Sequence, residues 1–165
     1  MLNQDLKKDV FQTFLKHGEN FEAIGDYTFE MEEYNYKNEN RKKLFITRLD
    51  VMIEDNAKMK YNKYSAESIL KNGVHIFYTS KGIKHYITDK ELPIKANRDW
   101  LHYPCKVEQH SFNNNHSFIK IIFNFMKDFT PIILEKNDVF GVELNDDFSG
   151  LENHTFHING FHIKI

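Results

Sequence analysis

Two-residue alternation around an Asn-Gly pair near the C-terminal end constrains this sequence more than any other feature. Across His154-Thr155-Phe156-His157-Ile158-Asn159-Gly160-Phe161-His162-Ile163-Lys164-Ile165, apolar and polar residues alternate on both sides of Asn159-Gly160. Asn-Gly favours the positive φ values of a type I′ turn, so the pattern predicts a hairpin. In that register His157 faces His162. Phe156, Ile158, Phe161, Ile163 and Ile165 share an apolar face, against Thr155, His157, His162 and Lys164 on a wet one. A lone hairpin of this kind is unstable in water, so it must lie on a core supplied by the rest of the chain.

The same period of two recurs upstream. It predicts strands over Tyr27 to Glu32 and over Leu44 to Ile53. Val74 to Thr79 and Ile83 to Thr88 flank Ser80-Lys81-Gly82 as a second hairpin. Tyr103 to Phe112 and His116 to Phe125 flank Asn113-Asn114-Asn115 as a third. In that third hairpin Ser117, Ile119, Ile121, Phe123 and Phe125 point to a strand placed inside the sheet, with Tyr103, Cys105 and Val107 facing inward beside it. Ile132 to Leu134 and Val139 to Leu144 read as further strands, the latter with Gly141 as a bulge. Helical spacing is confined to two places. Leu6, Val10, Phe11, Phe14 and Leu15 form a stripe between Asn3 and Gly18 and predict an N-terminal helix, and Ser65 to Asn72 before Gly73 predicts a short one. The expected fold is therefore α+β: a single globular domain over residues 1–165, mainly antiparallel, either one sheet curved over a helix or a sandwich of consecutive hairpins.

Composition sets the class. Hydrophobic residues at 41% and charged residues at 28% are ordinary globular values, and no apolar run is long enough for a membrane span. A single cysteine, Cys105, excludes an internal disulfide and fits a reducing compartment; with no hydrophobic leader at the N-terminus, the expectation is a cytoplasmic protein. Oligomeric state is not encoded in any pattern here.

Residue types that carry chemistry do not assemble into a motif. His157 and His162, opposed across the predicted hairpin, supply two metal ligands where zinc needs three or four, so a solvated strand face is favoured over a metal centre. Cys105 and its neighbours His102 and His110 fall on opposite strand faces, which separates a nucleophile from any base. Gly-x-Ser-x-Gly, phosphate loops and dinucleotide fingerprints are missing. The expectation is a protein with no catalytic residues, no metal and no cofactor.

Charge is unevenly distributed. Ten basic and four acidic residues fall between Asn56 and Lys106, giving +6, so the remainder carries −8 of a total of −2. Lys58, Lys60, Tyr61, Lys63 and Tyr64 interleave cations with rings, as single-strand binding platforms do, although the net charge makes nucleic acid the less expected partner. Downstream, Glu135, Asp138, Glu143, Asp146, Asp147 and Glu152 form an acidic stretch with Phe140 and Phe148 as aromatic anchors, a pattern suited to a basic protein.

With its single cysteine, its Asn, Lys and Ile content and acidic runs such as Glu143-Leu144-Asn145-Asp146-Asp147, the chain resembles the small bacterial immunity proteins of contact-dependent growth-inhibition and related polymorphic-toxin systems. The resemblance implies a cytoplasmic, non-enzymatic inhibitor that binds a cognate toxin domain, often a basic nuclease, through those acidic residues. The alternative is a single-stranded nucleic-acid module on residues 58–64.

Overall fold

A computed structural model describes residues 8–17 and 43–163, apart from 67, 114, 129, 136, 145, 147, 149 and 150; the predicted strand at Tyr27 to Glu32 lies outside them. Among the described residues, nine antiparallel strands make two sheets. They are β1 (Lys8–His17), β2 (Lys43–Asp55), β3 (Val74–Ser80), β4 (Ile83–Tyr86), β5 (Lys106–Asn113), β6 (His116–Asn124), β7 (Ile132–Leu134), β8 (Phe140–Leu144) and β9 (Asn153–Ile163). The large sheet runs β1-β9-β2-β6-β5, with β7 also pairing with β2, and the small one runs β4-β3-β8. Helix among the described residues is limited to a 3-10 segment at Asn97–His102 and one turn, α1 (Phe125–Asp128).

One contiguous core joins the sheets. Leu49, Val51, Ile53, Ile119, Ile121, Phe123, Phe156 and Ile158 from the large sheet are buried with Val74, Ile76, Phe140, Val142 and Leu144 from the small one, and Trp100 from the 3-10 segment is fully enclosed. The alternation read from the sequence holds here. Ser117, Ile119, Ile121 and Phe123 are buried along β6 while their neighbours are half exposed, and β6 lies inside the sheet between β2 and β5. The β3–β4 hairpin also forms as expected, its Lys81 and Gly82 taking φ of 53° and 77°, the two positive values of a type I′ turn.

Four expectations are corrected. First, residues 8–17 of the expected N-terminal helix form a strand. Ten consecutive residues of β1 pair with β9, from Lys8 opposite Ile163 to His17 opposite His154. Val10, Phe11, Thr13 and Phe14 are good strand formers, and a long partner overrides a helical stripe of four residues.

Second, the C-terminal segment is not a hairpin. Asn159 and Gly160 lie within continuous β9, which β1 flanks on one side and β2 on the other. The glycine serves close approach instead of a turn: a Cβ at Gly160 would lie 2.1 Å from the Phe45 carbonyl oxygen. Opposite it β2 bulges. Ile46 pairs with Gly160 and Arg48 with Asn159, leaving Thr47 as the extra residue, whose hydroxyl donates to the Asn159 carbonyl (3.3 Å). The bulge shifts the side-chain parity, which is why both Ile46 and Leu49 are buried.

Third, residues 65–72 contain no helix among those described. Ser65 takes φ of 60°, Tyr64 and Ser68 form an isolated bridge, and the Leu70 amide donates to the Lys95 carbonyl (3.0 Å). Fourth, Gly141 pairs with Phe77 in an unbroken β3–β8 register and makes no bulge.

Candidate functional site: an aromatic ladder ending at two carboxylates

Among the described residues of the acidic stretch, several carboxylates are turned inward. Asp146 is buried, and its carboxylate accepts the amides of Lys71 (2.7 Å), Asn72 (3.1 Å) and Gly73 (2.7 Å). Asp138 is buried as well and accepts the amides of Lys81 and Glu135, both at 2.9 Å. Glu143 lies on the outer side of the small sheet, paired with Lys84, whose ammonium sits 4.0 Å above the Phe77 ring, and within 3.4 Å of the Tyr86 hydroxyl. Burial works against the charge on Lys84, but the hydrogen bond and charge of Glu143 outweigh it and raise the Lys84 pKa. Both expected anchors are core residues: Phe140 is fully buried, and Phe148 packs edge-on to Tyr64 (5.8 Å). Asp147 lies outside the described residues. Of the seven described residues, Glu135, in an exposed pair with Lys43 (3.0 Å), and Glu152 reach the surface.

The histidine readings also resolve. His157 and His162 lie five residues apart on one strand, about 17 Å of backbone, and cannot share an ion across a turn. His157 stands opposite the buried Asp50, which Arg48 grips through Nε (2.6 Å) and Nη2 (2.8 Å). Desolvation lowers the His157 pKa despite the charge of Asp50. His154 is buried and meets the Tyr64 hydroxyl at 2.8 Å. The thiol of half-buried Cys105 donates to the Trp100 carbonyl (3.1 Å), while His102 and His110 are exposed.

A different constellation lies on the outer face of the large sheet. At the end of the β5–β6 hairpin the register shifts between Ser111 and Asn113, which leaves Phe112 as a bulged residue, 69% exposed. His110 stacks on Phe118 (4.8 Å between ring centres), Phe118 meets Phe112 (5.4 Å), and Phe112 meets His116 (5.8 Å), so four rings form a continuous ladder. Glu54, from β2, stands opposite Phe118 in register, and its carboxylate lies 2.8 Å from Nε2 of His116. Glu152 approaches Nδ1 of the same ring at 3.5 Å, and its own amide donates to the Glu54 carbonyl (3.1 Å). Glu54, His116 and Glu152 thus present three donor atoms within 4.8 Å of one another, about a third exposed each.

The ladder was within reach of the sequence. Alternation on either side of Asn113-Asn114-Asn115 pairs His110 with Phe118, but the bulge at Phe112 and the arrival of Glu54 and Glu152 from distant strands have no local signal. Searches against protein-family models, curated proteins and solved structures give no match to this chain. No described helix is long and apolar enough to cross a membrane.

Proposed function

We propose that the chain is a non-enzymatic inhibitor of the immunity type, which captures a basic protein partner on the outer face of its large sheet. The observation that carries this reading is the ladder of four rings, His110, Phe118, Phe112 and His116, whose last ring, His116, lies between the carboxylates of Glu54 and Glu152. An arginine guanidinium can lie flat on such rings while its N–H groups reach a neighbouring carboxylate in pairs, a combination that neither an aliphatic patch nor an acidic cluster offers alone. Phe112 supplies the apolar centre and the carboxylates supply the discrimination against acidic or neutral partners. His116 lies 2.8 Å from the Glu54 carboxylate in the free protein, so that carboxylate is positioned before the partner arrives, which reduces the ordering cost of binding.

The test is co-expression with the product of the neighbouring gene, followed by affinity measurement. Phe112→Ala and the double charge reversal Glu54→Lys/Glu152→Lys are each expected to weaken the complex at least tenfold, with folding intact by circular dichroism. Undiminished affinity in both variants would overturn the assignment of the surface, and a partner with no basic face would overturn the proposed chemistry.

A further inference from the structure

On a different surface, the Lys/Tyr segment is only partly available, and the available part is unusually well fixed. Met59 and Tyr64 are core residues, 5% and 3% exposed, so two of its members are anchors. Between them Lys60, Tyr61 and Asn62 are exposed, Tyr61 by 72%, and Lys58 is exposed just before Met59. The loop is stitched to the start of the 3-10 segment. The Arg98 amide donates to the Tyr61 carbonyl (2.8 Å), the Asn97 amide to the Lys63 carbonyl (2.7 Å), and the Asn97 side chain to the Lys60 carbonyl (2.9 Å). Those bonds bring exposed Arg98 beside Tyr61 from 37 residues further along the chain. Asp99, the neighbouring acid, has one carboxylate oxygen committed to the amides of Lys95 and Ala96, both at 2.9 Å, and the other 3.7 Å from Arg98 Nε in an exposed pair that a phosphate can replace.

We propose that this ledge binds single-stranded nucleic acid, with Tyr61 as the stacking platform for a base and Lys58, Lys60 and Arg98 as the phosphate contacts. Stacking needs an exposed ring on a backbone that is already ordered, and phosphate tracking needs exposed cations close to it in the chain; the clamped loop provides both. The ring distinguishes this ligand from an acidic polypeptide, which would use the cations alone. The net charge of −2 does not oppose binding at this range, because at physiological salt charges more than about 8 Å away are screened.

The experiment is fluorescence anisotropy of a labelled 20-nucleotide oligo-dT titrated with the full chain, competed with unlabelled duplex and with polyglutamate. Three phosphate contacts predict a log–log salt slope of about −2, hence roughly 20-fold weaker binding at 200 mM than at 50 mM salt. Tyr61→Ala is expected to weaken binding about tenfold, Tyr61→Phe to preserve it, and Phe112→Ala, on the other surface, to leave it unchanged. No binding at 20 mM salt, no effect of Tyr61→Ala in a folded variant, or equal competition by polyglutamate would each overturn the proposal.

Discussion

Two groups of carboxylates, close in composition and in sequence, have opposite fates. Asp55, Asp138 and Asp146 are turned inward and spend their oxygens on backbone amides. Glu54 and Glu152 are turned outward and meet only side chains that solvent also reaches, His116 and Asn153. The difference lies in what the chain leaves unpaired nearby. Turns such as Lys71-Asn72-Gly73 have amides that no strand accepts, and a short aspartate side chain close to them is a cheaper acceptor than trapped water. Glutamates at strand ends face no such demand. Acidity in a sequence is therefore a poor guide to an acidic surface until the backbone amides have been counted.

That contrast can be broken most forcefully at Asp146. Replacing it with Ala strands three amides and is expected to destabilise the fold by about 3–4 kcal/mol, measured by urea unfolding. Asp138→Ala, with two amides at stake, should cost about 2 kcal/mol. By contrast Glu54→Gln with Glu152→Gln should change stability by less than about 1 kcal/mol, since half-exposed pairs contribute little. An unfolding midpoint for that double variant as low as that of Asp146→Ala would erase the distinction.

The smallest expected effect is in pH dependence. Burial lowers the pKa of His75 and of His157 below the ordinary histidine value, with Glu143 and Asp50 respectively opposing the shift. A depressed histidine means that the unfolded chain binds more protons, so stability is full above about pH 6.5 and is lost as pH falls through the folded-state values. Unfolding midpoints recorded from pH 7.5 to 5 should fall gently, and His75→Asn with His157→Asn should flatten that slope. A slope that persists in the double variant would assign it to other groups.

Most strands were legible because their evidence is local. Alternation along β6 and the Lys81-Gly82 turn identify themselves. The failures were places where a distant partner decided. The spacing of Val10, Phe11, Phe14 and Leu15 fits a helical stripe and equally two apolar pairs of a strand, and only β9 selects the second. Asn159-Gly160 carries a turn signature, yet the demand met by Gly160 comes from Phe45. Ser65 to Asn72 lost its helix to the bond from Leu70 to Lys95 and to the carboxylate of Asp146. The candidate site was legible to the same extent: its rings come from one hairpin and could be paired, while its carboxylates come from β2 and the approach to β9 and could not.

The position of β9 has a consequence for biosynthesis. Because it is inserted between β1 and β2, the last of the described strands supplies the partner of the first. During translation β1 has no sheet to join, and one edge of β2 stays open until residues 153–163 have left the ribosome. The edge of β2 that β9 covers thus stays unpaired until a distant later segment folds onto it, so closing the large sheet depends on contacts of long sequence separation.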